Sequence, residues 1–253
     1  MSPKMMAAFS KILIFSAAAF FSLPALAGVM AASTRVIYEE GQHERSLMLA
    51  NINTYPVVVQ TWINDGDDQQ APENSVSPMM TLPSVFRMQP GAVQGLRIVY
   101  SGDPLPADRE SLFWLNLYEI APKVASQAKP ETSVALAMNT QMKVFYRPKH
   151  LPSSPEDMPK ALSFKLESQG EQPVLVLRNP TPYHASLISI RLIDQGREIA
   201  MPQLPEMMAL PLSEKRYPLS ASSQINKADI KVSFTWVDDG GHIHTTTTPL
   251  LAP

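Results

Sequence analysis

The chain has 253 residues, a formal net charge of −2, 24 prolines, 10 glycines and no cysteine. The lack of cysteine excludes disulfides, thiol catalysis and cysteine-ligated zinc or iron, so packing alone must stabilise the fold. The charge balance shows no basic excess that would indicate nucleic-acid binding or attachment to a membrane surface. Abundant proline without long helical periodicity predicts an all-β protein whose short strands are joined by turns.

The first 27 residues have the pattern of a cleaved secretory signal peptide. Lys4 and Lys11 supply its positive region, an apolar run follows over residues 12–23, and Ala25-Leu26-Ala27 is a small-x-small cleavage site. The alternative is an uncleaved membrane anchor, but the apolar run is shorter than the ~20 residues that a membrane span needs. The pattern therefore predicts an exported protein that begins at Gly28.

Residues 28–253 have the length of two domains, and the first is predicted to be residues 28–148. Short apolar stretches, several with period-two alternation, predict seven strands there, which is typical of an immunoglobulin-like sandwich. They lie at residues 32–38, 47–49, 57–63, 79–88, 93–100, 112–120 and 133–147. Trp62 is predicted to be a buried anchor of this core because its large ring is typical of a sandwich interior.

The second domain is predicted to be residues 161–253, after a linker at residues 149–160. The linker is rich in proline and polar residues. The clearest strands of the second domain lie at residues 162–166, 174–177, 185–193 and 230–237. The two halves share the short-strand pattern, but no sequence repeat relates them.

The strand that ends at Arg147 carries a row of apolar side chains. Val134, Leu136 and Met138 recur every second residue and would therefore lie on one face of the strand. Soluble proteins avoid leaving such a row in water. Because Lys143 lies near the base of this row, the strand is predicted to pair with another chain.

Four blocks of sequence resemble the periplasmic chaperones of the chaperone–usher pathway for pili and fimbriae. The blocks are Thr-Arg-Val-Ile-Tyr at 34–38, Pro-Ala-Asp-Arg-Glu-Ser-Leu-Phe-Trp-Leu-Asn at 106–116, Lys-Val-Phe-Tyr-Arg-Pro at 143–148 and Asn-Pro-Thr-Pro-Tyr at 179–183. They occur in family order over essentially the whole mature chain. The resemblance implies two immunoglobulin-like β-sandwich domains joined at an angle in an L shape.

The resemblance also implies a function. Such a chaperone binds pilus or fimbrial subunits in the periplasm, completes their fold with a lent strand and delivers them to an outer-membrane usher. It implies no cofactor and no use of ATP. It leaves open which subunit and usher are the partners, and whether the free protein caps its strand by self-association.

Two sets of residues match the subunit-binding positions of the family. Val134, Leu136 and Met138 match the lent strand, and Arg35 and Lys143 match the pair of cations that binds the C-terminal carboxylate of the subunit. Lys143 is odd-numbered, whereas the apolar row is even-numbered. We therefore expect a twist or a bulge between Met138 and Lys143 to re-aim one of them.

A third set matches an internal charge network that orients the two domains in the family. Its members are Glu110, Arg147 and Asp239. The adjacent Asp238 is an alternative to Asp239, and residues 238–241 also fit a plain hairpin turn. A network of this kind fixes geometry while contributing little net stability.

Weaker matches concern the usher and the branch of the family. Val58, Gln60 and Pro83 match positions through which the first domain docks onto the usher, although they also suit ordinary strand and strand-edge positions. The loop at residues 121–132 is short and the chain has no cysteine pair. This resembles the short-loop branch, which serves rod-like pili with adhesive tips.

Two other classes of protein are alternatives to the chaperone. His242 and His244 would lie on one strand face as a metal pair, but no third ligand is near in sequence and no catalytic motif is present, so an enzyme is not expected. A structural pilin or adhesin would also be exported and rich in strands. Such a protein would usually show a cysteine pair, an N-terminal donor extension and one incomplete domain. This sequence instead has no cysteine, two complete-looking domains and the pair of cations.

Overall fold

The computed structural model describes residues 28–66, 72–122, 137–169, 172–219 and 230–251. The predicted signal peptide lies outside these residues. Within them the chain forms sixteen strands, two short 3-10 helices and one short α-helix. No helix in this part of the chain has the length and apolar character needed to cross a membrane.

The first domain is a sandwich of two sheets. Its strands are β1 (Val29–Ala31), β2 (Arg35–Glu39), β3 (Arg45–Asn51), β4 (Val57–Asn64), β5 (Met79–Leu82), β6 (Val85–Met88), β7 (Val93–Tyr100), β8 (Ser111–Ile120) and β9 (Ala137–Arg147), with a 3-10 helix at Pro72–Asn74. One sheet has the order β1-β3-β7-β5 and the other has the order β2-β9-β8-β4-β6. Strands β2 and β9 pair in parallel, whereas β9 and β8 pair antiparallel.

Side-chain alternation in β4 shows how the sequence builds this core. Val57, Val59 and Ile63 are odd-numbered and buried between the sheets, because successive side chains of a strand point to opposite faces. Trp62 is even-numbered and lies on the outer face beside Tyr118, with 6.2 Å between ring centroids. The prediction that Trp62 anchors the core is therefore wrong, since its position in the strand outweighs its size.

Two of the predicted strands are each split between the two sheets. The chain bends at residues 32–34, so β1 pairs with β3 while β2 pairs with β9. Pro83 and Ser84 interrupt the strand predicted at 79–88, and β5 and β6 pair with different partners. Proline cannot donate a hydrogen bond to a ladder and so marks a strand boundary. Apolar alternation reports which residues are extended, but not which sheet they join.

The second domain is a smaller sandwich. Its elements are a 3-10 helix at Pro155–Asp157, α1 (Met158–Ala161), β10 (Ser163–Gln169), β11 (Gln172–Asn179), β12 (Leu187–Asp194), β13 (Arg197–Ala200), β14 (Ser213–Pro218), β15 (Lys231–Val237) and β16 (Ile243–Pro249). The sheets have the orders β10-β11-β14 and β13-β12-β15-β16. Met158 packs in the core of this domain, together with Phe164 and Phe234. The end of the predicted linker thus contributes to the second core.

Candidate functional site

Two cations lie side by side on the outer face of the larger sheet. The parallel register of β2 and β9 places Arg35 directly opposite Lys143. Val36 follows Arg35 in β2 and points into the core, so Arg35 points outward. Met142 and Val144 flank Lys143 in β9 and also point into the core, so Lys143 points outward too. Residues 108 positions apart in sequence are thereby neighbours on one sheet.

The second domain covers this end of the outer face. Arg35 Nη1 donates a hydrogen bond to the carbonyl oxygen of Val237, at 3.2 Å. Phe145 also points outward from β9, yet it is only 3% exposed because its ring packs against that of His184, with 5.3 Å between centroids. The two cations therefore line a cleft that both domains form.

Partial burial makes the two cations receptive to an anion. Lys143 Nζ lies 5.2 Å from the centroid of the Trp114 ring and 3.8 Å from Glu206 Oε1. Burial lowers the pKa of Lys143, Glu206 opposes this, and the neighbouring charges of Arg35 and Lys215 lower it further. Burial also lowers the pKa of Arg35, whose Nε has no hydrogen-bond partner in the described structure. Asp239 and Asp238 oppose this decrease in the pKa of Arg35. A further anion beside both cations would stabilise their charged forms.

One edge of β9 is open over part of its length. Strand β8 pairs with β9 from Ala137 to Tyr146, whereas β2 pairs with it only from Lys143 to Arg147. Among the described residues, no strand pairs with the other edge over residues 137–142. Unpaired backbone groups of this kind can accept a further strand.

The register of β8 and β9 also shows on which faces of the sheet Met138 and Lys143 lie. It runs without a shift from Ser111 opposite Tyr146 to Ile120 opposite Ala137. The expected bulge between Met138 and Lys143 is therefore absent within these described strands, and the two side chains lie on opposite faces. Met138 is on the same face as the core residues and is 45% exposed. Val134 and Leu136 lie outside the described residues.

Arg147 connects the two domains through two carboxylates. It donates from Nε to Glu110 Oε1 at 2.8 Å, from Nη1 to Asp239 Oδ2 at 2.6 Å and from Nη2 to Asp239 Oδ1 at 3.0 Å. Burial by itself lowers the pKa of Arg147, but Asp239 and Glu110 outweigh this and raise it above its ordinary value. Glu110 also accepts a hydrogen bond from the backbone N–H of His184, at 2.8 Å.

The neighbouring Asp238 makes a separate set of contacts. Its Oδ1 accepts a hydrogen bond from the backbone N–H of His242 at 2.8 Å, and its Oδ2 lies 2.8 Å from His244 Nε2 and 3.2 Å from His242 Nδ1. Burial raises the pKa of Asp238, but the hydrogen bonds from His244 and His242 outweigh it and lower the pKa to about 2. Asp239 is thus the carboxylate that meets Arg147, while Asp238 holds the hairpin between β15 and β16.

Comparison with known proteins identifies the family to which this chain belongs. Residues 28–152 match the pili and flagellar-assembly chaperone, PapD N-terminal domain, and residues 157–248 match the pili assembly chaperone PapD, C-terminal domain. The chain belongs to the PapD-like chaperone family. It is a fimbrial chaperone of the chaperone–usher pathway and not an enzyme.

Individual relatives of the chaperone extend over most of the chain. The chaperone protein FimB/FhaD of Bordetella pertussis is 34% identical over 223 residues, which covers 87% of this chain and 86% of that protein. The crystal structure of the YadV chaperone, a protein of Escherichia coli K12, has a TM-score of 0.73 at 29% identity and covers 88% and 99% of the two chains. A chain from the Salmonella enterica complex of the SafA pilin with the SafB chaperone has a TM-score of 0.71 at 25% identity, with coverage of 90% and 99%.

Two of the three residues predicted to contact the usher lie on the outer face of the first domain. Val58 and Gln60 point outward from β4, and Pro83 follows β5. Val58, 37% exposed, pairs with Ile120, and Gln60 pairs with Val85, which is 57% exposed. Sequence reasoning missed Val85 and Ile120, which extend this apolar patch from the neighbouring strands.

Sequence reasoning also missed three residues that complete the cleft of the chaperone. His184 contacts Glu110 and Phe145, and its position directly after the Asn-Pro-Thr-Pro-Tyr block was the available signal. Trp114 lies within the sequence block at 106–116, whereas Glu206 lies in none of the four blocks. Within the described ranges, no group of three His, Cys, Asp or Glu side chains is arranged to hold a metal ion.

Proposed function

We propose that this chaperone captures fimbrial subunits by pairing β9 with a subunit strand, and that Arg35 and Lys143 bind the C-terminal carboxylate of that strand. One observation carries the proposal: the open edge of β9, residues 137–142, ends where the two cations begin. A strand on this edge would place its terminus beside both cations. Main-chain hydrogen bonds would then supply affinity and the carboxylate would set the register.

The position of the cations also determines the direction of the captured strand. Lys143 lies at the C-terminal end of the open segment of β9. A strand whose carboxylate binds there, and whose preceding residues pair with residues 137–142, must run parallel to β9. It would continue the line of β2, which itself pairs in parallel with β9 from Lys143 onward.

The side chains of β9 supply the second part of the interaction. Met138 shares its face with the core residues Met142 and Val144. The sequence pattern predicts that Val134 and Leu136, which lie outside the described residues, belong to the same row. The row would thus extend the chaperone core into the groove of an incomplete subunit. Burying each apolar side chain is worth about 1.5–3 kcal/mol before ordering costs.

The remaining sites support delivery of the subunit. We assign Arg147, Glu110 and Asp239 the role of fixing the orientation of the domains, since their contacts join the first domain to the hairpin of the second. The patch around Val58, Gln60 and Pro83 is the proposed docking face for the usher. The domain boundaries 28–148 and 161–253, a cleaved signal at 1–27 and a periplasmic location belong to the same proposal.

A pull-down from the periplasm tests the anchor. The tagged chaperone is co-expressed with the fimbrial subunit encoded by the neighbouring gene, and the mass of the intact complex is measured by mass spectrometry. Wild type and the control Lys160→Ala, which changes an exposed lysine on α1, should give a one-to-one complex. Lys143→Ala should remain folded and lose capture at least tenfold, because a hydrogen bond to a charged group is worth about 1.5–3 kcal/mol. Complex at the wild-type level with Lys143→Ala would remove Lys143 from the mechanism.

A further inference from the structure

A carboxylate of the chain itself already lies beside Lys143. Glu206 belongs to the loop between β13 and β14 of the second domain, and its Oε1 lies 3.8 Å from Lys143 Nζ on the first domain. The position where the subunit carboxylate is proposed to bind is thus partly neutralised in the free protein. No motif in the sequence singled out Glu206.

The loop that carries Glu206 is firmly anchored. Met207 and Met208, which follow it, are 5% and 3% exposed, and Ala209 exchanges backbone hydrogen bonds with Ala185. Glu206 Oε1 also accepts a hydrogen bond from the backbone N–H of Met208, at 2.6 Å. The carboxylate is therefore placed by its own loop, rather than by a mobile side chain that happens to reach the cleft.

The contact between Glu206 and Lys143 is nevertheless weak. At 3.8 Å the two atoms are beyond a good hydrogen-bond distance, and the Glu206 side chain is 46% exposed. Ion pairs of this kind contribute little, because water and salt screen them. A carboxylate that approaches both Arg35 and Lys143 at hydrogen-bond distance would outcompete Glu206.

We propose that Glu206 is a displaceable placeholder for the C-terminal carboxylate of the subunit. It compensates the charge of Lys143 in the empty cleft, and a bound subunit takes over this contact. The inference rests on the proposed function, since it requires Lys143 to bind that carboxylate. Its consequence is specificity: an anion that contacts Lys143 alone must compete with a carboxylate that is held in place, whereas a subunit terminus contacts both cations and also pairs along β9.

The test uses Glu206→Gln in the full-length mature chaperone. Glutamine keeps an oxygen that can accept the hydrogen bond from Met208 but removes the charge. Glu214→Gln is the matched control, because Glu214 is 45% exposed, lies in the same domain and has its nearest ion-pair contact with Lys165 at 4.0 Å. The probes are two synthetic peptides with the C-terminal sequence of the co-encoded subunit, one a free acid and the other a C-terminal amide.

Binding measured by isothermal titration calorimetry should separate the variants. We expect Glu206→Gln to bind the free-acid peptide about three- to fivefold more tightly than wild type, which is the upper part of the range for a partly exposed ion pair. Glu214→Gln should match wild type. The amide peptide should bind all three proteins equally, which also shows that each cleft is folded.

The outcomes distinguish the two proposals. If wild type binds neither peptide, or binds acid and amide equally, the carboxylate anchor and with it the proposed function fail. If wild type prefers the acid but Glu206→Gln gives no gain or binds more weakly, only the placeholder is overturned. An equal gain from Glu206→Gln and Glu214→Gln would overturn it too, because the effect would then follow net charge alone.

Discussion

Removing Arg147 should destabilise the chaperone more than removing Asp239, the exposed end of its charge network. Glu110 is buried, with a side chain only 2% exposed, and Arg147 is the cation that meets it. In Arg147→Met the methionine can fill much of the space left by the arginine stem. Among the contacts of the described residues, the Glu110 carboxylate would then keep those with the N–H and ring of His184, at 2.8 and 3.2 Å.

The size of the effect follows from burial. Breaking a buried ion pair by removing one partner costs about 3–5 kcal/mol, because the remaining charge has lost its compensation. Asp239, by contrast, has a side chain that is 44% exposed. Asp239→Asn should therefore cost at most about 1 kcal/mol, because water can solvate the group that remains.

Urea unfolding of the purified chaperone, followed by tryptophan fluorescence, measures both costs. Trp62 and Trp114 report on the first domain and Trp236 on the second. Glu110→Gln combined with Arg147→Met removes the uncompensated charge and should recover part of the loss. A cost below about 1 kcal/mol for Arg147→Met, or one no greater than that of Asp239→Asn, would show that burial of Glu110 does not set the size of the effect.

Three further predictions concern separate parts of the molecule. Leu136→Glu should weaken subunit capture in the pull-down, because it places a charge in an apolar groove, and an unchanged yield would mean that the wrong face was chosen. Asp238→Asn should lower the urea midpoint at pH 6 and less at pH 3. The folded pKa of about 2 lies below the ordinary 3.8, so stabilisation by Asp238 is present above about pH 4 and is lost towards pH 2; an equal difference at both pH values would contradict this. Val58→Glu should reduce binding to the purified usher without changing subunit capture, and loss of both would indicate misfolding.

Local patterns were sufficient to predict much of the first sandwich. Alternation of apolar residues identified β4, β7 and β8 closely, because one face of each strand is buried and the other is not. The same patterns could not divide residues 32–38 or 79–88 between two sheets. Trp62 was also predicted to lie in the core because large aromatic residues are usually buried. That tendency does not indicate to which face of a strand a side chain points.

The amino-acid sequence was sufficient to predict the β-rich class and, through four motif blocks, the family and the pairing of Arg35 with Lys143. It did not show which groups meet across the two domains. In the folded chain, Arg35 contacts Val237, which is 202 residues away. Arg147 contacts Asp239 rather than Asp238. Glu206 lies beside Lys143. The physical reason is that strand patterns are set by neighbours along the chain, whereas these contacts depend on how two separate cores pack together.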